Sequence, residues 1–168
     1  MARGNRKRGK NRNSNRKANS KRSNKKENDK KEISPQIRLV MEEIKRKDEF
    51  NKIPTIKLVD EGGLAYKVAD AFKEDLKYTQ LRNFYAHVKN IEMRYDSWDD
   101  IRPELYLLKP RLASKFVQGH VPYGFYALIE LIISKIDFGL EKDKIKSFER
   151  FVQFFEATVA FHKYLGEE

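Results

Sequence analysis

From Ile33 onward, apolar side chains recur every three or four residues, the period of an α-helix with one buried face. Ser34 suits an N-cap and Pro35 the first helical position, ahead of a stripe of Ile37, Val40, Met41 and Ile44. Gly62-Gly63 marks a break, and a short helix is expected from Leu64 to about Glu74. Thr79 is the expected N-cap of a helix reaching about Tyr95, with Leu81, Phe84, Val88, Ile91 and Tyr95 on its buried face. Ser97, with Asp100 three residues on, resembles a capping arrangement. It opens a helix bearing Ile101, Leu105, Leu108, Leu112 and Phe116, which Pro110 is expected to kink or restart. Gly119 to Pro122 make a turn. Tyr123 to Phe138 is apolar almost all round, with a narrow polar stripe of Glu130, Ser134 and Asp137, and so belongs in the middle of a bundle. Gly139 stops it, and a last helix runs from about Lys142 to Leu165. Strand signals are sparse. The prediction is an all-α fold, a compact bundle of five to six helices over residues 33–168.

Residues 1–32 do not share this pattern. The first 31 hold 14 Lys and Arg against 2 acids, a net of +12, and no large apolar residue beyond Met1. Nothing there offsets the entropy lost on ordering, so a disordered basic tail is expected. Residues 32–168 hold 22 Lys and Arg against 23 acids. The net charge of +11 therefore belongs to the tail, and the body is close to neutral. Such a tail can follow phosphates and release counterions, or serve for solubility or localisation. The longest apolar run, FYALIELIISKI, carries Glu130 and Lys135 and is too short for a bilayer. No apolar signal segment follows the basic start. A soluble, cytoplasmic protein with no membrane contact is expected.

Helical projection sorts the candidate chemistry. On the helix after Thr79, Arg82 and Lys89 line up opposite the buried face, flanked by Asn83, Asn90 and Arg94, with Glu92 the acid at the far edge. That surface reads equally as a phosphate site or as an ordinary solvated face. Arg111 and Lys115 stand at i and i+4, where like charges repel slightly, and Lys109 lies elsewhere on the same helix. On the last helix, Phe148, Phe151, Val152, Phe154, Phe155, Thr158, Val159, Phe161 and Leu165 share one half. His162 falls inside that half, and Lys163 points the other way. His162 therefore reads as a hydrogen-bonded core or interface residue, with direct RNA contact as the alternative.

Catalytic patterns are missing from the sequence. The chain has no cysteine, hence no disulfide or thiolate nucleophile. Gly62-Gly63 lacks the Lys-Ser/Thr of a phosphate loop, and no GxSxG elbow occurs. No second His stands at metal-ligand spacing from any of the three. Neither an enzyme nor a cofactor is expected.

Three stretches together resemble the small subunit of type III-A CRISPR effector complexes, the Csm complexes: TQLRNFY at 79–85, LLKPRLAS at 107–114 and FVQFFEATVAFHKYLG at 151–166. The likeness covers roughly residues 79–166 and extends more weakly back to about 34. It implies a small all-α protein without enzymatic activity, several copies of which stack into a filament beside other subunits of the complex. It also implies sequence-independent phosphate contacts to target RNA and to the guide–target duplex. Arg82 is the natural contact in the first motif, and Lys109, Arg111 and Lys115 follow from the Lys-Pro-Arg segment. With Lys89, Arg94 and Lys163, these make the candidate RNA-binding set. Where the family often has a Tyr and then Gly-Arg, this chain has Ser114 and Gly119-His120, so the resemblance does not secure those two contacts, and His120 stands as a weaker substitute. A free-standing, basic-tailed nucleic-acid packaging or ribosome-associated protein is the other function that the charge distribution allows.

Overall fold

Ser34 does cap the first helix, its hydroxyl accepting from the Ile37 amide at 3.3 Å, and Pro35 sits where its missing N–H costs nothing. The computed structural model describes residues 31–166. Its elements are α1 (Pro35–Lys45), a 3-10 turn (Phe50–Lys52), α2 (Thr55–Val59), α3 (Leu64–Phe72), α4 (Tyr78–Arg94), α5 (Trp98–Val117), α6 (Tyr123–Ile136) and α7 (Glu141–Gly166). The all-α fold is as predicted: among the described residues there is no strand, and six helices have nine residues or more. From Ile33 these elements form one compact unit. The tail expected over residues 1–32 lies outside the described residues, apart from Lys31 and Glu32.

α7 is the axis of this unit, touching α2 to α6 and the 3-10 turn. Its 26 residues span about 39 Å at 1.5 Å per residue. Phe148, Phe151, Val152, Phe154, Phe155, Thr158, Val159, His162 and Leu165 are buried, as the projection requires, and Phe161 is half-buried against Tyr66. An aromatic ladder joins this helix to its neighbours. Phe151 stacks on Phe155 at 5.6 Å, Phe125 of α6 meets Phe155 at 6.1 Å, and Phe72 of α3 meets Phe125 edge-on at 5.7 Å. Each such pair contributes about 0.5–1.5 kcal/mol beyond its buried area.

Two local expectations need correction, and a third holds with a variation. Pro110 does not restart a helix: α5 is continuous through it and contains Pro103 as well. Both prolines are exposed, on the side opposite Leu105, Leu108 and Leu112, so the carbonyls that lose an amide partner face water. Thr79 is not a cap, because α4 begins one residue earlier and uses no side-chain cap. Burial of Leu76 and the stacking of Tyr78 on His162 set that start by packing. Ser97 does cap α5, accepting from the Asp100 amide at 3.3 Å. Its hydroxyl also donates to the Asp100 carboxylate at 2.8 Å, in place of the usual carboxylate-to-amide return bond.

Segment 46–61 carried no helical prediction. Phe50 there is fully buried, edge-on to Phe151 and Phe154. α7 fixes the turn by polar bonds: Ser147 Oγ accepts from the Asn51 amide at 3.0 Å, and Arg150 donates to the carbonyls of Asn51 and Ile53.

Candidate nucleic-acid interface

α4 and α5 are neighbours joined by the short link 95–97, and a groove of about 600 Å³ runs between them. Its geometry follows from the two helical faces. Leu81, Val88 and Ile91 turn one side of α4 into the core, leaving Gln80, Asn83 and His87 along the edge that meets α5. Leu105, Leu108 and Leu112 do the same for α5, leaving Arg111, Ser114 and Lys115 along the edge that meets α4. Phe84, Leu108 and Pro110 supply apolar surface to the groove, and Gln118 closes one end, its amide donating to Ser114 Oγ at 3.2 Å.

Arg111 reaches across the groove. Its Nη1 lies 3.0 Å from His87 Nδ1 and also meets Nε2. A guanidinium can only donate, so the imidazole must present a free lone pair. Burial lowers the His87 pKa below the ordinary histidine value and Arg111 lowers it further, against a smaller upward pull from Glu104. His87 is thus held neutral, which leaves the positive charge of this edge on Arg111 and Lys115.

The predicted basic residues fall into separate places. Arg111 and Lys115 share the groove, one helical turn apart. Arg82 is exposed on the outer crest of α4, beside the groove residue Asn83 in sequence. Lys89 is aligned with Arg82, but its charge is shared: Glu92 holds it at 2.5 Å, and this bond raises the lysine's pKa. Glu92 is therefore not at a remote edge of the basic surface but inside it. Arg94 ends α4, its guanidinium 5.8 Å from the Tyr95 ring. Lys109 sits on the far edge of α5, 4.9 Å above the Tyr106 ring. Lys163 is exposed near the end of α7.

His162 is the buried residue that the helical projection indicated, with 4% of its surface exposed, which leaves no face for RNA. It is not hydrogen-bonded as expected. Both ring nitrogens are buried without a partner, and the ring stacks on Tyr78 with centroids 6.3 Å apart. Among the described residues, no group of three or more His, Asp or Glu side chains could hold a metal ion, and no helix is long and apolar enough to cross a membrane.

Sequence reading missed His87 and Gln80 as groove residues. The available signal was the spacing of Gln80, Asn83 and His87 along one edge of α4, a polar row flanking the buried stripe.

The family model for Csm2 Type III-A matches residues 54–168. The chain belongs to this family. The match takes in α2 to α7, and so reaches further toward the N-terminus than the three motifs at 79–85, 107–114 and 151–166. No curated protein and no solved structure matches the chain. The Csm2 family member described here is a small subunit of the type III-A Csm effector complex, and its family is one of structural small subunits. Other subunits of that complex are accordingly its partners.

Proposed function

We propose that this Csm2 family protein is a non-catalytic, cytoplasmic RNA-binding subunit. It stacks with copies of itself along the effector complex and holds target RNA, or the guide–target duplex, by phosphate contacts that ignore sequence. The observation that carries this reading is the groove edge where Arg111 and Lys115 stand one turn apart beside a neutral His87, next to the exposed crest bearing Arg82. Two cations at i and i+4 repel each other, and an approaching phosphate relieves that repulsion. Lys89 is a weaker contributor because Glu92 already engages it. Lys109, Arg94 and Lys163 lie off this surface and would touch RNA only along a longer path. Membership of the Csm2 family favours this reading over a free-standing packaging or ribosome-associated protein.

The test is RNA affinity against salt concentration for the full chain and for the triple variant Arg82→Ala, Arg111→Ala, Lys115→Ala. Removing one phosphate-binding cation flattens the log–log slope for a single strand by about 0.7, so the variant should bind with a slope shallower by about two. The weakening should be similar for unrelated RNA sequences. An unchanged slope would remove these residues from the interface and leave the tail as the intrinsic binder.

A further inference from the structure

A site built for phosphate alone needs donors and positive charge. The α4–α5 groove contains more than that. Half-buried Phe84 gives it an apolar floor, with the edge of Leu108, 2% exposed, beneath. Phosphate oxygens gain nothing from such a floor, whereas the flat face of an unstacked base does. The walls carry the amides of Gln80 and Asn83 and the hydroxyl of Ser114, groups that both donate and accept. A phosphate diester only accepts, while the edges of every nucleobase offer both functions. The volume, about 600 Å³, lies within the range of sites that enclose a small molecule.

We propose that this groove takes one unstacked nucleotide of the RNA strand, with the base on the Phe84 ring and its phosphate on Arg111 and Lys115. The inference rests on the RNA-binding reading above and adds to it a contact with the base. The amides, with both donor and acceptor, accept any of the bases, so the groove grips a nucleotide without reading which one it is.

The experiment compares full-chain binding of a mixed-sequence oligoribonucleotide with that of its abasic counterpart, equal in length and charge, at one ionic strength. Residues 1–31 contain no aromatic side chain, but their arginines can stack on bases, so the groove variants below decide whether a difference belongs to the groove. The base-bearing strand should bind at least about fivefold more tightly, as expected for one stacked base. Filling the groove with Ser114→Trp should bring both strands to equal affinity. The double variant Gln80→Ala, Asn83→Ala adds no bulk and should shrink the difference as well, which guards against a misfolded tryptophan variant. Equal affinity of the two strands for the unaltered protein overturns the base site and leaves the phosphate reading standing. Failure to bind either strand overturns both. Displacement of the RNA by micromolar adenosine monophosphate assigns the groove to a free nucleotide, and the strand assignment falls.

Discussion

Asp137 shows how much one side chain can organise here. Its carboxylate accepts from Arg102 Nε at 2.9 Å, Tyr106 Oη at 2.7 Å and Lys144 Nζ at 3.0 Å, tying α5 and the start of α7 to the end of α6. Burial pushes its pKa up, but the bonds from Tyr106, Lys144 and Arg102 outweigh that and hold it below the ordinary aspartate value of 3.8. A depressed carboxylate pKa stabilises the fold fully above the unfolded value, and the gain disappears as pH falls through the folded one. Asp137→Asn should therefore cost about 2 kcal/mol at neutral pH, the usual scale for charge-assisted bonds. Chemical denaturation at pH 7 and again below pH 3.8 checks this, and the gap between the proteins should narrow in acid. An equal gap at both pH values would mean that packing, not charge, is what the substitution removes. Nothing in the sequence marked Asp137 beyond its place in a polar stripe, because its donors lie 7 to 35 residues away. Arg111 and Lys115 were legible, since i and i+4 fix a shared helical edge. The Lys89–Glu92 pair was legible by the same rule, since i and i+3 are neighbours too, but Glu92 was set at the far edge of the surface and not against Lys89.

Whole helices were read more reliably than their ends or the segment between α1 and α3. Long elements such as α5 and α7 declare themselves by repeated burial at helical spacing. The 3-10 turn and five-residue α2 are too short to show a period, and the turn's conformation is imposed by Ser147 and Arg150, almost a hundred residues later. Phe50 is the apolar pin of that arrangement, so Phe50→Ala should cost about 3–5 kcal/mol, as for other large core truncations. A shift of the denaturation midpoint without a change in slope would report this destabilisation cleanly. A cost under about 1 kcal/mol, well below the usual range for such truncations, would mean that the 3-10 turn packs on α7 without contributing to the fold. The prolines of α5 carry the converse lesson. A local rule predicts a break, but exposure of both rings lets the buried leucine stripe carry the helix through.

At the scale of the whole chain, net charge is unevenly divided. The first 31 residues carry a net +12, while residues 32–168 balance 22 cations against 23 acids. The family match begins only at residue 54, so family membership says nothing of the tail. A body near neutrality cannot draw RNA from a distance by its net charge. It can hold phosphates only where basic side chains are locally concentrated, as Arg111 and Lys115 are. On the RNA-binding reading proposed above, a tail with this composition would supply the long-range attraction, and its sequence offers no large apolar side chain beyond Met1 for a core. Removing residues 1–31 should therefore leave the thermal unfolding midpoint within about 1–2 °C of the full chain, less than the shift of roughly 2–4 °C that 1 kcal/mol produces in a domain of this size. RNA association should slow and its salt slope flatten, while the contribution of Arg82, Arg111 and Lys115 persists in the shortened protein. Stopped-flow association at two ionic strengths, read beside the unfolding curve, separates the outcomes. A large fall in the midpoint would show the tail packing on the helical body, and an unchanged association rate would show the helical surface recruiting RNA unaided.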